Sequence, residues 1–186
     1  MDLSAFDGFF TTLLARDGAA MRKLFEWMEG MLLAPEVKAG KAIALVGPPG
    51  CGKKVVVELL RRMLGGDAVL QTSAPQQDLW GRFIGVMENA LVVCIEDVTD
   101  RRLRSWQAEL KMLISNPYIQ VRAWCRATRT VRSFHRVMLT TNDDLPFLDD
   151  DLSRHRFNKI RCHPPTGDAE AHFNAVYAML DQATPH

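Results

Sequence analysis

At 186 residues the chain has the size of one domain with a small helical appendage, enough to bury a core without disulfide or metal staples. An apolar fraction of 47% with 24% charged residues excludes a disordered or fibrous chain, and no run of about 18 apolar residues exists to span a bilayer, so no membrane partner is expected. The formal charge of +1 identifies no partner by itself, because the charges are clustered along the chain.

In chain order, residues 3–32 carry Phe6, Phe9, Phe10, Leu13 and Leu14, then Met21, Leu24, Phe25, Met28, Met31 and Leu32 at helical spacing. Asp17-Gly18 divides this stretch into two helices, and Pro35 ends it. Residues 1–40 are thus a helical N-terminal segment, and 41–186 form the main domain. Ala42–Val46 is a short continuous apolar run, the pattern of a strand buried on both faces. Residues 52–63 form a helix with Val55, Val56, Leu59 and Leu60 on one stripe, ended by Gly65-Gly66. Ala68–Gln71 is a short strand, 76–88 a helix with Leu79, Phe83 and Val86 inward, and Ala90–Ile95 a second strong strand. Residues 103–115 are predicted helical, Ile119–Trp124 and Thr130–Phe134 a hairpin, and Val137–Thr141 and Phe157–Cys162 further strands. Residues 167–182 close the chain as a helix carrying Ala171, Phe173, Val176, Tyr177 and Leu180. Strands alternating with helices imply an α/β three-layer sandwich around a mostly parallel sheet.

The segment Gly47-Pro48-Pro49-Gly50-Cys51-Gly52-Lys53 follows a predicted strand and opens a predicted helix, the context of a P-loop. Its glycines let backbone N–H groups turn inward around phosphate oxygens, and the helix N-terminus adds a positive dipole end. Residues 47–53 with Lys54 and Val55 are therefore the expected ATP-binding set, Lys53 reaching the β- and γ-phosphates. The position after the motif lysine ordinarily holds a Ser or Thr hydroxyl that ligates Mg²⁺; Lys54 stands there instead and offers no acceptor. Either it points away while water completes the metal shell, or it partly replaces the metal, or hydrolysis is weak. The second strong strand ends in Glu96-Asp97, where two acids beside a P-loop hold Mg²⁺ and polarise the attacking water. Asn142, after Val137–Thr141, can orient that water or meet the γ-phosphate, although Asn before Asp143-Asp144 is also a turn signature.

The order of these motifs resembles the superfamily 3 helicases, AAA+-type ATPases that include the helicase domains of polyomavirus large T antigens and of papillomavirus replicative helicases. The resemblance covers about residues 42–163: the loop Gly47–Lys53, the run LVVCIEDV at 91–98, residues 110–136, the Leu-Thr-Thr-Asn at 139–142 and SRHRFNKI at 153–160. It implies a P-loop AAA+-like fold with an inserted β-hairpin, Glu96 and Asp97 as the Walker B acids and Asn142 as sensor. Arg156 falls where a finger reaches into the neighbouring subunit's ATP site, and Arg154 is close enough to serve instead or as a second sensor. The family's hairpin projects into the channel of a hexameric ring. Residues 122–136 match it with five arginines and no acid. Arg122, Arg126 and Arg129 would track a phosphate backbone and Trp124 would stack on a base.

The implied protein is an ATP-dependent, ring-forming DNA helicase or translocase in viral, phage or plasmid replication, acting on single-stranded DNA (RNA is not excluded) with replication proteins as partners. The alternative class is a degenerate nucleotide-binding module that assembles or loads a partner, motivated by Lys54. Helices at 3–32 are either a collar that supports oligomerisation or a cap on one sheet face. The acids Asp143, Asp144, Asp149, Asp150 and Asp151 lie away from a DNA path, either meeting a basic neighbour or solvated. Cys51, Cys94, Cys125 and Cys162 form no C-x-x-C pair, which points to a reducing compartment, cytoplasm or host nucleus.

Overall fold

A computed structural model describes residues 4–81, 84–122 and 127–183. Helices α1 (Ser4–Leu13) and α2 (Gly18–Leu33) lead into strand β1 (Ala42–Val46) and helix α3 (Lys53–Leu64). Strand β2 (Val69–Thr72), the single turn α4 (Pro75–Asp78), strand β3 (Val92–Ile95) and helices α5 (Asp100–Ser105) and α6 (Gln107–Ser115) follow. Then come strands β4 (Tyr118–Val121), β5 (Arg129–Arg132) and β6 (Arg136–Thr141), the short α7 (Asp151–Arg154), strand β7 (Phe157–Arg161) and helix α8 (Ala169–Ala183).

Five strands form one sheet in the order β2-β3-β6-β1-β7, every pairing parallel. Because successive side chains of a strand point to opposite faces, β1 divides its residues between two cores. Ile43 and Leu45 join Phe9, Leu24, Val56, Leu60 and Leu180 under α1, α2, α3 and α8. Ala42, Ala44 and Val46 join Leu103, Leu110, Leu139 and Phe147 beneath α5 and α6. The result is a three-layer α/β sandwich with a parallel central sheet, as the apolar runs imply. All five β1 residues are buried.

The division at Asp17 has a local cause. Its side chain accepts from the N–H groups of Ala19 and Ala20 at 2.9 and 3.1 Å, capping α2 where a continuous helix would leave those donors inside one rod. The hairpin is present as the antiparallel pair β4–β5, with Ile119 opposite Val131 and Val121 opposite Arg129. Of the predicted DNA-contacting residues, Trp124 and Arg126 lie outside the described residues, and so does the start of the predicted tip, Arg126–Arg129.

Three expectations change. The helix predicted over 76–88 is the single turn α4 and a separate 3-10 turn at Gly85–Glu88. Gly81 folds back so tightly that a Cβ there would lie 2.2 Å from the Gln77 carbonyl oxygen. Met87 is therefore buried, while Val86 faces solvent; Phe83 is outside the described residues. The helix predicted over 103–115 starts earlier, at Asp100 under the Thr99 cap, and breaks at Trp106, whose ring is buried beside Trp80 at 5.8 Å between centroids. In α8, Val176 and Leu180 are buried, but Ala171 and Tyr177 turn outward.

A candidate nucleotide site at the sheet edge

The C-terminal ends of β1, β3 and β6 meet at one edge, where ligands of open parallel sheets gather. The chain leaves β1 through Gly47, whose backbone passes so close to β7 that a Cβ would sit 2.4 Å from the Cys162 carbonyl oxygen. Any side chain there would push the loop off the sheet. The loop closes at Gly52, with φ of 104°, a left-handed conformation that side chains resist. The rings of Phe9 and Phe173 rest against this glycine at the distance a Cβ would need. From Lys53 the chain runs into α3, so the last turn of the loop faces the N-terminus of a 12-residue helix.

Lys53 is buried, and its ammonium is fully engaged. Nζ donates to the carbonyls of Gly47 and Pro48 at 2.6 and 2.9 Å, to Asn142 Oδ1 at 3.0 Å and to Cys51 Sγ at 3.4 Å. The contact with Asn142 joins two residues 89 apart and pins the end of β6 to the loop. Asn142 itself is exposed at its outer side. Beside it, Thr141 Oγ1 donates to the Val98 carbonyl at 2.5 Å and accepts from the Asp143 N–H at 3.0 Å, which fixes the β6 exit against the β3 exit. The β3 exit carries Glu96, half-buried, and Asp97, exposed with φ of 51°.

These groups surround a cavity of about 490 Å³ lined by Pro49 through Val55, Glu96, Asp97, Thr140, Thr141, Asn142, Phe173 and Tyr177. Of the expected phosphate-loop set, Gly47 and Pro48 contribute through their carbonyls rather than as lining. Lys54 is exposed at the second position of α3 and faces the same cavity as the two acids. Phe173 and Tyr177 belong to the apolar set of the last helix. Their i, i+4 spacing is the same for a core stripe and for a wall over the loop, so only the docking of α8 beside α1 separates the two.

Arg154 and Arg156 are elsewhere. The Arg156 carbonyl accepts from the Ala42 N–H at 2.7 Å, which places it beside the start of β1, at the opposite edge of the sheet from the loop. Five residues of strand, about 16 Å, separate the two edges. Arg154, exposed on α7, is 3.7 Å from Asp151. In the hairpin, Arg122 is exposed and its carbonyl accepts from the Ile84 N–H at 3.0 Å, and Arg129 is ion-paired with Glu88. The acidic stretch meets cations of its own chain: Lys159 binds Asp144 at 2.7 Å and Asp149 at 2.8 Å. Burial pulls the Lys159 pKa down, but its two carboxylate partners outweigh that and leave it raised.

Among the described residues, no group of three or more His, Cys, Asp and Glu side chains is placed to hold a metal ion, and no helix is long and apolar enough to cross a membrane. Glu96 and Asp97 fit a different arrangement, in which Mg²⁺ takes one or two carboxylates and completes its shell with phosphate and water.

A sequence-family profile described as a family of unknown function, DUF5906, matches residues 45–156, from the end of β1 to the start of β7. The chain belongs to this family. The DUF5906 match thus spans the loop Gly47–Lys53, Glu96, Asp97, Asn142, the hairpin and Arg156. No curated protein matches the sequence. Among solved structures, the apo NrS-1 C-terminal region (305–718) superposes with a TM-score of 0.78 at 17% identity, covering 96% of this chain and 44% of that one. Its A form gives 0.76 at 18% identity, covering 95% and 43%. JCV helicase bound to a thiazolopyridine acetamide gives 0.62 at 17% identity, covering 96% and 49%. The fold is therefore superfamily 3 helicase-like, as the motif order implied, and the chain spans less than half the length of these proteins.

Proposed function

We propose that this chain is the nucleotide-binding module of an ATP-driven, ring-forming DNA helicase or translocase serving replication of a virus, phage or plasmid. The observation that carries the reading is the convergence of the Lys53 ammonium, Asn142, Glu96 and Asp97 on one cavity at the C-terminal edge of a parallel sheet. Phosphate oxygens of ATP accept from the loop N–H groups at the N-terminus of α3. Lys53 exchanges its carbonyl partners for the β- and γ-phosphates, a change its flexible stem allows. Glu96 takes the proton of the attacking water, and Asn142 orients that water. Mg²⁺, when bound by Glu96 and Asp97, neutralises phosphate charge. Phe173 and Tyr177 offer an aromatic wall for the base.

The distance of Arg156 from its own chain's loop supports a role across a subunit boundary. In a ring, the sheet's N-terminal edge in one copy would face the C-terminal edge in the next. Arg156, with Arg154 beside it, would then stabilise charge on the transferring phosphoryl group. The hairpin residues Arg122, Trp124, Arg126 and Arg129 would hold single-stranded DNA, Arg129 exchanging Glu88 for a phosphate. Helices α1 and α2 would support assembly of the ring, and replication proteins would be its partners in a reducing compartment.

ATP turnover measured with and without single-stranded DNA tests the reading. Stimulation by DNA, abolished by Lys53→Ala, is the expected outcome; turnover indifferent to DNA removes the translocase. A second reading, a non-hydrolysing module that assembles or loads a partner, is favoured by one observation: Lys54 brings a second cation to the cavity that holds the two acids. Under it, Lys54→Thr raises turnover sharply. A fall in turnover instead assigns Lys54 an active part in hydrolysis.

A further inference from the structure

A second cavity, of about 600 Å³, opens beside the hairpin and, among the described residues, shares no lining residue with the nucleotide cavity. It lies between α6, strand β4 and residues 79–81 and 84–87. Its volume falls within the range of small-molecule sites, about 300–1,000 Å³. Leu79 and Met87, each 2% exposed, form its inner side. Towards solvent stand Met112 and Tyr118, 58% and 60% exposed, with the half-buried Trp80. Large apolar side chains gathered around one opening, rather than scattered singly, mark a surface that meets a ligand.

The charges around the opening decide what kind of ligand. Side chains alternate along a strand, so Tyr118 and Gln120 share one face of β4, opposite Arg132 and Thr130 of β5. Arg132 is exposed, with its guanidinium 5.2 Å from the centre of the Phe134 ring. Arg122, directly after β4, and Arg129, at the start of β5, are exposed as well. Of the acids nearby, Glu88 is ion-paired with Arg129, and Glu109 lines the cavity. An aromatic-walled opening flanked by three arginines suits a ligand with a flat apolar face and an anionic backbone. An apolar peptide segment would draw nothing from the three positive charges.

We propose that this cavity accepts an unstacked base of single-stranded DNA, whose phosphates run along Arg122, Arg129 and Arg132. The proposal rests on the reading that the hairpin holds such a strand, and it adds a base-binding site at the hairpin's foot. The base stacks on the Tyr118 ring, which is open to solvent and needs no rearrangement of the core to receive it. Glu109, Asn116 and Gln120, all exposed on the cavity lining, offer acceptors and donors to the base edge.

The two kinds of contact separate cleanly. Arginine–phosphate contacts give an affinity that falls with salt and takes no account of the bases. The stack on Tyr118 requires that a base be present, and a backbone stripped of its bases cannot use it.

The test uses the full chain and two dye-labelled DNA strands of about 15 nucleotides, read by fluorescence anisotropy. One carries thymine throughout, and the other is abasic with the same phosphates. The parent chain should bind the thymine strand about tenfold more tightly, as one base–aromatic stack requires. Tyr118→Ala should weaken the thymine strand about tenfold and leave the abasic strand unchanged, whereas Tyr118→Phe should keep the parent affinity. Met112→Ser, on the other side of the opening, should weaken the thymine strand about threefold, again with no effect on the abasic one. Both positions are exposed, so neither change disturbs the core. Equal binding of the two strands by the parent chain overturns the base site, as does an equal loss of both strands in Tyr118→Ala. A thymine preference that survives Tyr118→Ala also overturns it, leaves the hairpin reading standing, and gives the cavity to a protein segment instead. If the parent chain binds neither strand, the hairpin reading fails and the base site falls with it.

Discussion

The two edges of the central sheet each hold a buried cation, and the two are built differently. At the C-terminal edge, Lys53 binds two loop carbonyls, an amide oxygen and a thiol, and opens on a cavity of about 490 Å³. At the N-terminal edge, Arg136 is 2% exposed and directs one terminal nitrogen to the carbonyls of Gly30, Ala34 and Val37, at 2.6, 3.2 and 3.0 Å. Those carbonyls belong to the end of α2 and the turn after it, where Gly30 and Ala34 also accept from the N–H groups of Ala34 and Val37. Nearby, Lys38 is pushed down to about 8, by burial first and then by the Arg136 charge. A planar guanidinium fork suits a fixed structural joint, whereas an ammonium on a flexible stem suits exchange of partners. Cation burial alone does not mark a site.

Four experiments break or sharpen this contrast. The largest effect is expected at the proposed contact between copies: Arg156→Ala should lower ATP turnover about 10³-fold, roughly 4 kcal/mol of barrier. Lys53→Ala should be comparably inactive, and mixing the two variants should restore turnover at interfaces that pair an intact Lys53 with an intact Arg156. A mixture no better than its components would place both residues in one subunit's site. Next, Arg136→Met should cost about 3 kcal/mol of stability in urea unfolding, because three carbonyls lose a charged donor, while Lys53→Met should cost far less. Equal losses would erase the distinction between joint and site. Smaller again, Tyr177→Ala should weaken ATP by about 1–2 kcal/mol and leave tripolyphosphate binding unchanged, as loss of a stacking surface requires. The smallest concerns the acidic stretch. The hydrogen bond from Lys159 holds Asp144 below its ordinary value of 3.8, so its contribution is present above that pH and is lost as pH falls through the folded value. Asp144→Asn should flatten that acid limb of the unfolding midpoint.

The sheet and the strand-to-helix loop after β1 were legible because buried parallel strands read as unbroken apolar runs, and because a run of glycines and prolines marks a tight turn. Ala42–Val46 and Gly47–Lys53 needed no partner to be recognised. Residues 76–88 misled because apolar spacing suits a helix, and only the fold-back at Gly81 ends it after one turn. Tyr177 misled for the converse reason: its spacing suits a core, yet its ring lies at the cavity wall. Apolar patterning determined by itself an α/β fold around a mostly parallel sheet, since local hydrogen bonding and apolar burial are written at short range, and the motif order added the resemblance to the superfamily 3 helicases. The tertiary structure alone decided that Lys53 meets Asn142 and that Arg156 stands at the far edge from its own loop. Each of those is a contact or separation between segments distant in the chain, set by how strands order themselves in the sheet.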